Sequence, residues 1–175
     1  MNLVKQWQKG KVSAFETLFL RYKNMVIRTA WSMVADKSEA EDVLQMVFIK
    51  VYEIKGKFKG DEIGFRRWLY RITINLCIDM LRKKHSCLCL DQIIEKGFEP
   101  ADEFPDRGLE VKDELWKAMD CLDGKQRSVV VLRYLHELSY EEIAKTLDIP
   151  LGTVKSRLNT AIKTMRKKLV NEYEL

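Results

Sequence analysis

The sequence predicts an all-α protein, two small helical domains joined by a flexible acidic linker, and three observations lead there. Apolar residues recur at helical spacing along most of the chain, with almost no sustained strand-like alternation. Charge is segregated. Residues 1–85 carry 17 Lys and Arg against 9 Asp and Glu, 86–115 carry 3 against 9, and 116–175 carry 11 against 8, giving net charges of +8, −6 and +3. Within the acidic stretch the periodicity fails, and Gly97, Pro100, Pro105 and Gly108 punctuate it. The expected boundaries are 1–86 for the first domain, 87–108 for the linker and 109–175 for the second domain.

The N-terminal domain opens with a helix signalled by Ser13-Ala-Phe-Glu16, a capping-box pattern, with Phe15, Leu18, Phe19, Tyr22 and Val26 near one face. Ser38-Glu-Ala-Glu41 is a second such pattern, opening a helix expected to reach about Lys55. Residues 56–64, rich in Lys and Gly, are expected to form a loop. One helix is then predicted from about Phe65 past Asn75, and another segment to about Lys84. The linker holds at most one short helix. Helices resume from about Leu109 to Cys121 and from about Lys125 to His136.

The C-terminal segment is the most informative. Ser139 with Glu142 three residues on forms a capping box, and Ile143, Ala144 and Leu147 supply the buried stripe that follows. Pro150 and Gly152 are expected to make a tight turn, with Thr153 capping the next helix. There Val154, Leu158, Ala161, Ile162, Met165 and Leu169 share one face. The opposite face carries Ser156, Asn159, Thr160, Lys163 and Lys167, flanked by Lys155 and Arg157, and no acid occurs between Asp148 and Glu172. Such a helix can enter a major groove, early residues at base edges and cations near phosphates. The plain alternative is an ordinary helical hairpin with a solvated basic face.

Other classes are narrowed by composition. In 175 residues, 46% apolar content supports real cores and 33% charged content a wet surface, with a net charge of +5. Basic modules suggest a polyanionic partner through counterion release. The acidic linker would be repelled by nucleic acid and drawn to a cationic channel, although a solvated linker has the same composition. The longest aliphatic run, residues 129–132, is too short to span a bilayer, and the N-terminus lacks a signal-peptide pattern. A cytoplasmic location without membrane insertion is expected. Cys77, Cys87, Cys89 and Cys121 make no disulfide framework, and His85-Ser-Cys87-Leu-Cys89 lacks a usual zinc spacing, so reduced thiols and no metal or cofactor are expected. His85 and His136 have no nucleophile or carboxylate constellation, and no Gly-rich phosphate loop occurs; an enzyme is not expected.

Two further stretches suggest contacts. In the helix after Ser38 the buried stripe is Val43, Leu44, Val47, Phe48, Val51 and Ile54, while Asp42, Gln45, Met46, Ile49 and Glu53 lie opposite. Met46 and Ile49 on a wet face suggest docking of a partner helix, although scattered exposed apolar residues are ordinary. Next come Lys55, Lys57, Phe58 and Lys59, then Phe65-Arg-Arg-Trp-Leu-Tyr-Arg71 and Arg82-Lys-Lys84. Aromatics beside a cationic track can hold separated strands. Trp68 and Leu69 are assigned to packing, and Phe58 and Phe65 fit either role.

Here the motifs converge. Ala40-Glu-Asp-Val-Leu-Gln-Met-Val-Phe-Ile-Lys-Val-Tyr52 and Phe65-Arg-Arg-Trp-Leu-Tyr-Arg-Ile-Thr-Ile-Asn-Leu-Cys-Ile-Asp79 resemble region two of extracytoplasmic-function sigma factors. Lys125-Gln-Arg-Ser-Val-Val-Val-Leu-Arg-Tyr134, Leu138-Ser-Tyr-Glu-Glu-Ile-Ala and Val154-Lys-Ser-Arg-Leu158 resemble their region four. The resemblance covers nearly the whole chain except the linker. It implies a promoter-specificity subunit that binds core RNA polymerase and promoter DNA, duplex and melted strand, and is sequestered by an anti-sigma factor, often membrane-anchored, until stress releases it. Implied polymerase-docking residues are Asp42, Gln45, Met46, Phe48 and Ile49, Met46 replacing an acid common there. Implied minus-ten contacts are Arg66, Arg67, Arg71, Asn75, Arg82 and Lys83, with Asn75 at the start of a loop that captures a flipped-out base. Implied minus-thirty-five contacts are Thr153, Lys155, Ser156, Arg157, Asn159, Thr160 and Lys163. Relatives often carry further arginines where this chain has Asn159, Thr160 and Ile162, which leaves the promoter sequence open, and Asn159 can pair bidentately with adenine. Asp123-Gly124 stands where the family usually has Pro before Lys-Gln-Arg. The competing function is a stand-alone helix-turn-helix regulator, which has no need of the Asp42–Gln45 face.

Overall fold

In the computed structural model, which describes residues 3–55, 57–88 and 118–173, the chain divides into two units, Met1–Leu90 and Asp91–Leu175. All regular structure among the described residues is helical. The first unit contains α1 (Leu3–Gln8), α2 (Val12–Val34), α3 (Lys37–Glu53) and α4 (Glu62–Leu88). α2 is its spine, with α1, α3 and α4 packed on it. Ala14, Leu18, Tyr22, Val26 and Ala30 recur every fourth residue and are buried along its length. α2 packs on α3 and α4, where Val43, Val47 and Val51 of α3 and Phe65, Leu69 and Ile74 of α4 are also buried. Three hydroxyls inside this core satisfy themselves locally. Thr29, Ser32 and Thr73 donate to the carbonyls of Met25, Arg28 and Leu69, each at 2.7 Å.

Two of the helix starts expected from capping boxes are wrong. α2 begins at Val12, and Lys11 before it makes no side-chain cap, so the Ser13 pattern lies inside the helix. α3 begins at Lys37, capped by Asp36, whose carboxylate accepts from the Glu39 N–H at 3.0 Å. Asp36 has the extended backbone a cap requires (φ −140°, ψ 128°), whereas Ser38 is already helical. α4 starts at Glu62, earlier than expected, because Asp61 accepts from the Gly64 N–H at 2.8 Å. It then runs unbroken to Leu88 where two segments were expected. The linker 87–108 and the predicted helix from Leu109 lie largely outside the described residues, which resume at Ala118.

The second unit contains α5 (Gly124–Val130), a π turn (Val131–Leu135), α6 (Tyr140–Leu147) and α7 (Leu151–Tyr173). Asp123 caps α5, accepting from the Gln126 N–H at 2.7 Å, so the acid supplies a start where proline would supply only a fixed φ. The helix expected to reach His136 widens instead, the His136 N–H reaching back to the Val131 carbonyl at 3.3 Å. Arg127, 6% exposed, donates to the Met119 carbonyl at 2.7 Å and to Asp120 at 3.1 Å, tying the segment before α5 to it.

Burial fixes the protonation of the α2–α4 core. The Cys77 thiol faces the Ala30 carbonyl at 4.0 Å, and burial pushes it from 9.0 up to about 12. Burial also raises the Tyr22 and Tyr70 hydroxyls. Each group keeps its proton to higher pH when folded than when unfolded. Their stabilising contribution is therefore complete below the unfolded values and is lost as pH rises through the folded ones. Chemical unfolding should show a midpoint that declines above about pH 9, with a shallower decline in Cys77→Ala. Equal slopes for the two proteins would remove Cys77 from this account.

Candidate nucleic-acid interface

In the second unit, α6 and α7 form a hairpin whose corner is set by side chains on both sides. Ser139 and Glu142 complete the expected capping box, the Glu142 N–H donating to Ser139 Oγ at 3.2 Å and the Ser139 N–H to Glu142 Oε2 at 2.9 Å. Before it, Arg133 donates to the Leu138 carbonyl at 3.0 Å and stacks over the Tyr140 ring at 5.4 Å, fixing how α6 leaves the π turn. The sequence motifs did not single out this brace. Its legible signal is only an Arg seven residues before a Tyr across a polar turn.

The turn between α6 and α7 differs from the expected one. Asp148 adopts the left-handed conformation (φ 56°) and ends α6, its N–H bonded to the Ala144 carbonyl. α7 starts at Leu151, so neither Gly152 nor Thr153 forms the turn or the cap. The Thr153 N–H donates to the Pro150 carbonyl at 2.9 Å, inside the first helical turn. Gly152 is helical and faces open space, with nothing within 4 Å of where a Cβ would stand.

Along α7 the buried residues are Val154, Leu158, Ala161 and Met165. Ile162 and Leu169, expected beside them, are half-buried. Lys155, Ser156, Asn159, Thr160 and Lys163 are exposed, while Thr153 and Arg157 are half-buried at the edge of the stripe. Arg166 and Lys167 extend the exposed face. Arg166 was not among the residues singled out from the sequence, although it lies in the basic tail. Ser156 donates its hydroxyl to the Thr153 carbonyl at 3.1 Å, leaving its oxygen able to accept from a base. The face therefore offers hydroxyl and amide groups near the helix start and cations along its length, the distribution that base edges and phosphates require.

The first unit presents two faces. On α3, Asp42 and Gln45 are exposed, Ile49 is 57% exposed and Met46 is half-buried. Phe48 is not on this face. At 5% exposure it packs edge-on against Phe19 and Phe15, with centroids 4.8 and 6.4 Å away, so it supports the face from below rather than meeting a partner. On α4, Arg67, Arg71, Asn75 and Arg82 fall on one side at ~100° per residue, with Arg66 and Lys83 off it. Arg66, Arg71, Asn75, Arg82 and Lys83 are exposed and Arg67 is half-buried. Arg82 has a loose partner in Asp79, at 3.7 Å, both well solvated. Asn75 was expected to begin a loop, but it sits in mid-helix, where the uninterrupted apolar stripe Leu69–Ile74–Cys77 leaves no reason for a break. Phe58 and Phe65, which fitted either role, are packing residues. Phe65 is fully buried, and Phe58 lies against Trp7, Phe65 and Trp68.

Among the described residues no three His, Cys, Asp or Glu side chains gather as metal ligands. The side chains of His85 and Cys87, and Cys89 altogether, lie outside the described set. No described helix is long and apolar enough to cross a membrane.

A capped helix-turn-helix with an acid-free outer face, following a helical module with a cationic side, defines a DNA-binding transcription protein of two modules. Residues 18–86 match the family model for Sigma-70 region 2, and residues 118–167 match that for Sigma-70, region 4. The chain is 35% identical to the ECF RNA polymerase sigma factor SigW of Bacillus subtilis, over 95% of this chain and 94% of that one. It is 33% identical to the ECF RNA polymerase sigma-E factor of Escherichia coli K12, over 95% and 92%. Among solved structures it resembles the sigma factor RpoE of Bartonella quintana, crystallised with the anti-sigma factor NepR, at a TM-score of 0.71 and 25% identity over 90% of this chain and 98% of that one. The fold also resembles CnrH in complex with the cytosolic domain of CnrY, at a TM-score of 0.70 and 23% identity over 97% and 96%. This chain belongs to the extracytoplasmic-function sigma factors of the sigma-70 family.

The corrected turn has a direct check. Because Gly152 is helical with open space around it, Gly152→Ala should stabilise the second unit by roughly 0.5–1 kcal/mol, read as a higher thermal midpoint. Destabilisation would return Gly152 to the turn.

Proposed function

We propose that this chain is the promoter-specificity subunit of an RNA polymerase. It docks on the core enzyme through α3, engages the minus-ten element through α4 and the turn before it, and reads the minus-thirty-five element with α7. The observation that carries the reading is the pairing of an acid-free, cation-rich outer face on α7 with a separate module whose α3 exposes Asp42, Gln45 and Ile49. A stand-alone helix-turn-helix regulator would need the first feature and not the second. Family membership supports the same choice.

Residue by residue, Asp42, Gln45, Met46 and Ile49 form the docking stripe. Arg66, Arg67, Arg71, Arg82 and Lys83 meet the backbone near the minus-ten element, and Asn75 reaches a base from the helix. Thr153, Lys155, Ser156, Arg157, Asn159, Thr160 and Lys163 contact the minus-thirty-five element. The domain limits are 1–86 and 109–175, with residues 87–108 as an acidic linker suited to cationic channels of the polymerase. The protein contributes binding and strand separation and leaves the chemistry to the polymerase, without a cofactor. It works in the cytoplasm and, by likeness to RpoE with NepR, has an anti-sigma partner. A membrane-anchored partner would hold it near the envelope until stress releases it.

The first experiment is in vitro transcription by core RNA polymerase on pooled genomic DNA with sequencing of transcript starts. New starts sharing two spaced upstream motifs are expected. DNA binding without new starts would favour the stand-alone regulator. Asp42→Ala with Gln45→Ala should weaken co-elution with core polymerase at an unchanged thermal midpoint, and unaltered co-elution would refute the docking stripe. On the DNA side, Arg157→Ala should weaken binding across all sequences and flatten its salt dependence, because a phosphate contact releases counterions wherever it forms. Asn159→Ala should instead redistribute starts among promoters, about 1–3 kcal/mol of discrimination being lost at one base pair. Two unaltered start profiles would mean that α7 is not the reading helix.

A further inference from the structure

The turn between α3 and α4 carries Lys55, Lys57 and Lys59, and sequence alone gives it no fixed shape. In the structure it is held from the far end of the module. Gln8, the last residue of α1, donates from Nε2 to the Phe58 carbonyl at 2.9 Å across fifty residues of sequence. The Phe58 ring is enclosed by Trp7, Phe65 and Trp68, with centroids 5.7, 5.6 and 5.3 Å away. Gly60 flanks the half-buried ring on another side. A Cβ at Gly60 would stand 3.0 Å from Phe58 Cζ, so any larger residue there would press on the ring and shift it by a few tenths of an ångström. The Ile54 carbonyl accepts the N–H groups of Lys57 and Phe58 at 2.8 and 3.0 Å, and Asp61 caps α4 immediately afterwards. Gln8, Ile54 and Asp61 thus tie the turn to α1, α3 and α4, while Lys57 and Lys59, on either side of the anchored ring, stay exposed.

We infer that α1 is a positioning element for this turn: Gln8 and Gly60, acting on Phe58, hold residues 57–59 in the shape that receives the melted promoter strand. The inference rests on the proposed DNA role of the first unit. Its physical basis is preorganisation. A mobile turn must be ordered when a strand binds, and that cost comes out of the energy available for strand separation. A turn already clamped between α1 and α4 presents two cations at a fixed spacing with little left to order. Gln8 touches no DNA in this account. It acts through the Phe58 carbonyl.

The test uses the full chain with core polymerase and reads the turn and the initiation step separately. Gln8→Met keeps side-chain length and removes the donor, and Gly60→Ala pushes on the ring from the other side. Each should speed tryptic cleavage after Lys57 and Lys59 about fivefold, the factor equivalent to losing one neutral hydrogen bond (~1 kcal/mol). Each should lower the new transcript starts by a similar factor while leaving co-elution with core polymerase unchanged. The double variant should be little worse than the worse single one, since both act on one contact. Unchanged cleavage in both variants overturns the clamp. Faster cleavage with undiminished starts overturns its role in initiation. Lys57→Ala with Lys59→Ala separates this failure from the deeper one. If that pair leaves the starts unchanged, the turn does not serve DNA, and the inference falls with that reading.

Discussion

The burial of Phe65 is the contact on which the first unit depends. Its ring is fully buried and lies 5.2 Å from Trp7, 5.6 Å from Tyr22 and 5.8 Å from Trp68, so one side chain touches α1, α2 and α4. The same ring meets Phe58, which brings in the turn before α4. Aromatic pairs at these tilted and edge-on geometries contribute about 0.5–1.5 kcal/mol each beyond their buried area. The polar ties nearby follow from this packing. Once Phe65 sets α4 against α2, Glu62 one turn earlier lies beside Arg21 and Tyr22, and its carboxylate accepts from both. At the other end, Lys84 of α4 reaches Glu39 of α3 at 3.0 Å. These half-exposed pairs contribute little on their own. They fix the rotation of a helix that the core has already positioned.

The second unit solves its orientation problem differently, because its helices are short and its core small. α6 is only eight residues long and could not persist alone. It is specified at both ends, by the Ser139–Glu142 box and by the left-handed Asp148, and from outside by Arg133 on Tyr140. The π turn ahead of it places one residue more than an α-turn would hold, and the chain leaves through Glu137 at φ 55°, a conformation that costs a non-glycine residue energy. The Leu138 N–H recovers a bond to the Leu132 carbonyl at 3.1 Å, and Arg133 takes the Leu138 carbonyl. The corner is thereby closed by hydrogen bonds rather than by bulk.

Much of this was legible in the sequence, and the failures share a cause. The helix-turn-helix, the buried stripes of α3 and α7 and their wet faces follow from spacing, which is a local property. The Ser139 box was readable because a break in periodicity precedes it. The same pattern at Ser13 and Ser38 misled, since nothing in four residues states which one has left the helix, and Asp36 was the better cap. Phe58 and Phe65 could not be assigned to stacking or packing, because their partner Trp7 lies more than fifty residues earlier. Asn75 was misplaced by analogy with a loop, although its neighbours Ile74 and Cys77 are spaced for a continuous helix. Phe48 was counted on both the buried and the docking side, and the rings of Phe15 and Phe19 decide for burial.

The exposed face of α7 finds no acid within its own cationic stretch. On α4, by contrast, Arg82 has Asp79 within reach and Lys84 has Glu39. From Lys155 to Lys167 the helix has five Lys and Arg and not one acid, so no i,i+4 pair of opposite sign can form within that stretch. Like charges at such spacings cost a few tenths of a kcal/mol apiece. The buried stripe Val154–Leu158–Ala161–Met165 outweighs that cost. A partner that supplies closely spaced negative charge removes the repulsion and releases its own counterions on contact. The sequence thus sets apolar area on one side of α7 and an exposed cationic surface on the other. Duplex DNA, with a charge every ~1.7 Å along its axis, is the partner that matches it.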